Sequence, residues 1–196
     1  MKEVDLLEFE DFYEDNLRTY KEEGYIKNPI YLIKSTSEIP TVCYHEGLEY
    51  NEKLVKDRGY NLVDLKHDGG CVITGNGDYM VGCFTRDINK FALDVVNRFY
   101  NDIKSILPND VEVREDKNDL LVDGKKISGA MSVDFIDEYK FVGFFVSYKN
   151  SKKIIEDICT KPMVKEPSGL EDFGVNNIEL FRLLEKIIVE YENDLR

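Results

Sequence analysis

The chain has no tryptophan, only two histidines, four cysteines and five prolines among its 196 residues. Two histidines, His45 and His67, are too few for a zinc centre, which needs four ligands. Cys43 and His45 lie two residues apart, on one face of a strand, and would supply half a site at most. Cys43, Cys71, Cys83 and Cys159 form no Cys-x-x-Cys pair, which leaves buried thiols in a reducing compartment as the ordinary reading. Positive charge is also scarce. Lys and Arg number 26 against 39 Asp and Glu, a net charge of −13. A nucleic-acid partner needs a surplus of cations to replace counterions on phosphate, so the charge argues against that class. The acidic surplus reads as a solvated, solubilising surface. No run approaches the roughly 20 apolar residues of a membrane span. The opening "MKEVDLLEFEDFYED" is acidic where a secretory signal has a basic start and an apolar run. The expectation is a cytoplasmic protein with no membrane partner.

Apolar material is ample. Hydrophobic residues make up 42%, with 12 Tyr and 11 Phe, enough for one sizeable core; two domains of this total length would each be small. Residues 1–196 are therefore expected to form a single domain. Helix-like spacing of Val4, Leu7, Phe12, Tyr13, Leu17 and Tyr20 predicts a helix over 3–22, closed by Gly24. Strands are expected at 29–34, 40–45 and 60–65, with a short helix at 48–58. A Gly-rich loop, a strand, a turn and another strand follow in "HDGGCVITGNGDYMVGCF". Ile88, Phe91, Ala92, Val95, Phe99 and Ile103 share one face of a helix over 86–107, stopped by Pro108. Strands at 111–115, 119–123, 126–133 and 140–148 precede a helix at 151–158. The last helix, 176–194, would turn Ile178, Phe181, Leu184, Ile187, Ile188 and Tyr191 inward. Clustered strands with flanking helices give an α+β class with a largely antiparallel or mixed sheet.

Two segments carry candidate chemistry. In "KNDLLVDGKKISGA" (117–130) the Asp123-Gly124 pair is a strong two-residue hairpin signal. The hairpin brings Asn118 and Asp119, at the start of one strand, toward Lys126 on its partner. An acid and an amine can then border one cleft, the acid suited to magnesium and the amine to neutralising developing negative charge. Ser128, Gly129 and Ala130 are small, so a ligand can lie near that strand's backbone. An exposed hairpin with solubilising charges fits the same letters. In the second segment, Gly69 and Gly70 free the backbone to offer N–H groups to a ligand. They form neither a Walker loop nor a Gly-x-Gly-x-x-Gly fingerprint, so those nucleotide folds gain no support.

Taken together, the segments resemble the biotin and lipoate protein ligase superfamily. The order strand, Gly-Gly loop, strand, long helix, strand, Asn-Asp strand, turn and Lys-Ile-x-Gly strand is similar, and "NDLLVDGKKISGA" is close to the lipoate ligases' own motif. The likeness extends from "DLLEFEDFYEDN" through "YNEKLVKDRGYNLVDLKHDGG", with Asn51 at a corresponding place, to "PSGLEDFG". It implies a biotin/lipoate ligase-like fold that joins a small acid (lipoate, octanoate or biotin) to ATP as an acyl-AMP, then passes the acyl group to a lysine of a lipoyl-type carrier domain. It implies that Lys126 contacts the carboxylate and α-phosphate. Asn118 and Asp119 would organise phosphate and Mg2+, and Gly69 and Gly70 would cover the acyl chain and adenylate.

The departures are specific. The arginine before the glycines is absent, with Lys66 or His67 the nearest substitutes, and Asp68 stands where the first glycine is usual. Ile73-Thr74 replaces an aromatic-His pair, and Val142-Gly143 a His-Gly. The ligases' small C-terminal accessory domain has no counterpart in these residues. "IIEDICTKPM" places Cys159 where octanoyltransferases of the same superfamily carry a nucleophilic cysteine, which would form a thioester without ATP. A non-catalytic relative that binds an acid, a nucleotide or a carrier domain is the third reading, favoured by the altered loop.

Overall fold

Residues 2–5 do not begin a helix. In the computed structural model, which describes residues 2–26, 30–44, 50–64, 72–160 and 163–194, Lys2–Asp5 form strand β1, parallel to β2 (Ile30–Lys34). The Asp5 carboxylate accepts the Leu7 N–H at 2.9 Å and starts a short 3-10 turn at Leu6–Glu8, and α1 then runs Phe9–Glu23 to a left-handed Gly24. The turn resets the helical phase. Leu7, expected inside, is exposed, and Phe9 is fully buried instead.

The remaining elements follow the expected order. They are β3 (Thr41–Tyr44), α2 (Glu52–Arg58), β4 (Asn61–Asp64), β5 (Val72–Thr74) and β6 (Tyr79–Thr85), then α3 (Ile88–Phe91) and α4 (Asn97–Asp102). After these come β7 (Val113–Asp116), β8 (Asp119–Val122), β9 (Lys125–Ile136), β10 (Tyr139–Val146), α5 (Lys152–Ile158) and α6 (Asn177–Asp194). The main sheet has seven strands in the order β1-β2-β6-β10-β9-β8-β7, antiparallel except for the first pair. A second sheet, β4-β3-β5, pairs β3 and β4 in parallel. The architecture is α+β with a mixed, mostly antiparallel sheet. Among the described residues no helix is long and apolar enough to cross a membrane.

Strands β2, β6 and β10 are apolar along almost their whole length because both faces of the main sheet are covered. One face packs Val81, Val142, Phe144 and Val146 against Val95, Phe99, Leu184 and Ile188 of the helices. The other packs Tyr31, Met80, Phe141 and Phe145 against Phe9 and Phe12 of α1 and against Cys43 and Val63 of the small sheet. The small sheet turns Val42 outward to Val55 and Ile158, on α2 and α5.

Two helical stripes differ from expectation. Between α3 and α4 the chain widens into a π-helical stretch, Ala92–Val96, which brings adjacent Val95 and Val96 inward while Ile88 is left exposed. In α6 the buried stripe is Leu180, Leu183, Leu184, Ile187, Ile188 and Tyr191. Ile178 lies about 200° around the helix from Leu180 and is exposed.

One buried acid ties the layers together. Asp78, 2% exposed, accepts the Tyr148 and Lys149 N–H groups on Oδ1 at 2.6 and 2.8 Å and the Gly75 N–H on Oδ2 at 2.7 Å. It fastens the β5–β6 turn to the end of β10.

Candidate active site

The site grows out of the β8–β9 hairpin. Asp123 and Gly124 take φ of +48° and +75°, the left-handed pair that a two-residue turn with the natural strand twist demands. The turn sets Val122 opposite Lys125 and Leu121 opposite Lys126. A bulge then shifts the register by one residue, so that Leu120 faces Ser128 and Asp119 faces Gly129.

That single extra residue sorts the side chains. Ser128 lies opposite Val146, on the helix-covered face, buried with its hydroxyl toward Tyr100. Gly129 lies opposite Phe145, on the face covered by α1 and the small sheet. Asp119 therefore meets a residue with no side chain, and Lys126 folds across the gap. A methyl group on Gly129 would stand 3.0 Å from Asp119 Oδ1 and 3.1 Å from Lys126 Nζ. Lys126 Nζ reaches Asp119 Oδ1 at 2.9 Å, with the lysine side chain 42% exposed and the aspartate 19%.

A second cation completes the arrangement. Lys165 Nζ donates to Asp119 Oδ2 at 2.7 Å and to the Asp116 carbonyl at 3.0 Å, and forms an ion pair with Asp116 Oδ2 at 2.9 Å. These contacts raise the Lys165 pKa, Asp119 contributing first, and Lys165 in turn holds Asp116 below the usual carboxylate value. Lys165 arrives on the strap 163–168, which pairs with Lys126 along the backbone. The Lys126 N–H donates to the Glu166 carbonyl at 2.7 Å and the Ser168 N–H to the Lys126 carbonyl at 2.9 Å. Glu166 is also paired with Lys152 of α5 at 2.8 Å. The same strap thus holds the backbone of Lys126 and the carboxylate its ammonium faces.

The structure brings Lys126, Asp119 and Gly129 together. Asn118 is exposed and contributes its carbonyl to the framework, accepting from Ala130 N at 2.8 Å and Tyr100 OH at 3.1 Å. The expectation that Ser128 and Ala130 border the same cleft differs from the geometry. Both turn toward the helix-covered core, because the bulge inverts the strand alternation after Lys126. Cys159 ends α5 in the outer cluster beside Tyr50, with which it forms a β-bridge. Asn51 caps α2, accepting the Leu54 N–H at 3.0 Å. Cys43 is buried, and burial pushes its thiol up to about 12, which keeps it protonated. Lys66, His67, Asp68, Gly69, Gly70 and His45 lie outside the described residues. Lys165 and Asp116 were missed by sequence reasoning. "TKPMVKEP" has no periodicity, and nothing local in it signals that its second lysine turns back to an acid on β8.

Asp119 does not fit a resident magnesium centre in this arrangement. Each of its oxygens faces an ammonium group, and among the described residues no group of three His, Cys, Asp or Glu side chains is placed to hold an ion. The cluster is suited to receiving an anion. A lysine has three donor hydrogens, and among the described residues Asp119 is the one partner of the Lys126 ammonium.

The chain is similar to LipL1 of P. falciparum, solved in complex with lipoate, at a TM-score of 0.72 and 16% identity over 99% of this chain. It spans 60% of the length of that protein. A bi-partite lipoate protein ligase of Thermoplasma acidophilum, solved in a lipoylation system with its E2 lipoyl domain, gives 0.71 and 15%, covering 96% of this chain and 82% of the other. A lipoate-protein ligase A bound with ATP gives 0.70 and 17%, covering 97% and 83%. At these identities the likeness establishes the fold. No curated protein matches by sequence. Residues 42–188 match the lipoyl protein ligase A/B catalytic domain family, and the chain belongs to that family.

Proposed function

We propose that the protein activates lipoate or a related small acid (octanoate or biotin) with ATP and transfers the acyl group to a lysine of a lipoyl-type carrier domain. The acid's carboxylate oxygen attacks the α-phosphorus of ATP and pyrophosphate leaves. The carrier's lysine amine then attacks the acyl carbonyl, an amide forms, and AMP and a proton are released. Magnesium enters as the counter-ion of ATP, part of the substrate. The first step drives two anions together, so a cation placed between them lowers the barrier most. The observation that carries this reading is the half-exposed Lys126 ammonium, held over Gly129 by one oxygen of Asp119 within the family-matched region. The relatives support it, since one was solved with lipoate, one with ATP and one with its E2 lipoyl domain. Residues 1–196 act as one catalytic domain in this proposal.

The test is a thermal-shift panel of lipoate, octanoate, biotin and ATP-magnesium, singly and in pairs, followed by mass measurement. One acid with ATP-magnesium should raise the melting temperature beyond either alone and yield a bound acyl-AMP with release of pyrophosphate. A shift without pyrophosphate would instead indicate a binding protein. Acyl transfer from an acylated carrier onto Cys159 without ATP would indicate a transferase.

Gly129→Ala probes the same geometry. Its methyl group presses on two side chains rather than on backbone, Asp119 Oδ1 at 3.0 Å and the end of Lys126 at 3.1 Å, so the urea midpoint should change by less than about 1 kcal/mol equivalent. Acyl-AMP formation should fall severalfold, because the methyl group displaces the Lys126–Asp119 pair from its set position. Unchanged turnover would show that Lys126 does not work from this position.

A further inference from the structure

Lys126 and Lys165 share one carboxylate, yet their surroundings differ. Lys165 has three hydrogens and three acceptors within 3.0 Å, namely Asp119 Oδ2, Asp116 Oδ2 and the Asp116 carbonyl. Its side chain is 19% exposed. It has no donor left for a ligand. Lys126 is more exposed and, among the described residues, meets Asp119 Oδ1 alone. One lysine is saturated and fixed, and the other has hydrogens to spare.

We infer that Lys165 is a positioning residue. By holding Asp119 Oδ2 it turns the carboxylate so that Oδ1 alone is presented to Lys126, whose ammonium keeps its remaining hydrogens for an anionic ligand. The inference rests on the acyl-adenylation reading for its catalytic consequence, though not for the geometry. Without Lys165, both oxygens of Asp119 and its whole charge would turn to Lys126. The ammonium would be drawn into a closed pair and an incoming carboxylate or phosphate would meet a neutralised cation. The arrangement also couples the strap to the site. Lys165 anchors it to β7 and β8, Glu166 anchors it to α5 through Lys152, and Glu166 and Ser168 hold Lys126 by its backbone.

The experiment compares Lys165→Met and Lys165→Arg with the unmodified protein by two readouts. In 15N-lysine-labelled protein at one fixed pH, the Lys126 ammonium signal, identified by its loss in Lys126→Arg, should move in Lys165→Met and return toward its original place in Lys165→Arg. In steady-state acyl-AMP formation, Lys165→Met should lower kcat about tenfold with a smaller change in KM for ATP, and Lys165→Arg should restore much of it. In an Asp119→Asn background the Lys165→Met effect should shrink, because the competing carboxylate is gone. Melting temperatures check that each variant is folded. A Lys126 signal unmoved by Lys165→Met in a folded protein overturns the inference, whatever the activity. A signal that moves while the unmodified protein makes no acyl-AMP sustains the positioning role and removes the ligase reading.

Discussion

Lys126→Ala should reduce acyl-AMP formation by about two to three orders of magnitude, the loss typical when a preorganised group facing developing charge is removed. The fold should survive. The lysine head is half exposed, and Asp119 retains Lys165 as its partner, so no buried charge is left alone. The urea midpoint should therefore stay within about 0.5 kcal/mol of the original. Lys126→Arg should not restore the rate, because the guanidinium is broader and planar where the gap over Gly129 accepts a compact ammonium. The measurement is pyrophosphate release with saturating acid and ATP-magnesium. A Lys126→Ala protein within twofold of the unmodified rate would sink the assignment of this lysine and with it the proposed chemistry of the first step.

The second large effect concerns stability. Asp78→Ala should destabilise the fold by about 3 kcal/mol or more, because three N–H groups in a dry region lose their acceptor together. Asp78→Asn separates charge from shape. Its carbonyl can still accept from Tyr148 and Lys149, while its amide would point a donor at the Gly75 N–H. The pH dependence is the sharper readout. Burial raises the Asp78 pKa from 3.8 to about 7, outweighing the N–H donors that pull it down. Between those values the folded state binds a proton that the unfolded state has lost. The contribution to stability is full below about pH 4 and is lost as pH rises through about 7. Relative to Asp78→Asn, the unmodified protein should lose stability over that window in urea titrations. Parallel pH profiles for the two proteins would show that Asp78 does not titrate there.

Much of this was legible locally. The Asp123-Gly124 turn, the continuous apolar strands β2 and β10 and the pairing of an acid with Lys126 across a hairpin all follow from rules that act over a few residues. Other features were not. The first helix was expected from residue 3 because Val4 and Leu7 fit its period, but Asp5 caps a short turn and Lys2–Asp5 find a parallel partner in β2. Tertiary pairing outweighed a short periodic match. Ile178 fits a three-residue spacing with Phe181 and Leu184, but the stripe that α6 buries begins at Leu180 and leaves Ile178 exposed.

The sequence by itself determined the α+β class, the hairpin and the presence of a lysine and an aspartate on its two arms. Each of these depends on backbone preferences and side-chain periods that near neighbours set. Only the tertiary structure decided which small residue stands opposite Asp119, since one inserted residue reverses the alternation of the rest of a strand. It alone decided that Lys165 shares that carboxylate, because closing a long stretch of chain onto a sheet edge depends on packing that no local pattern encodes.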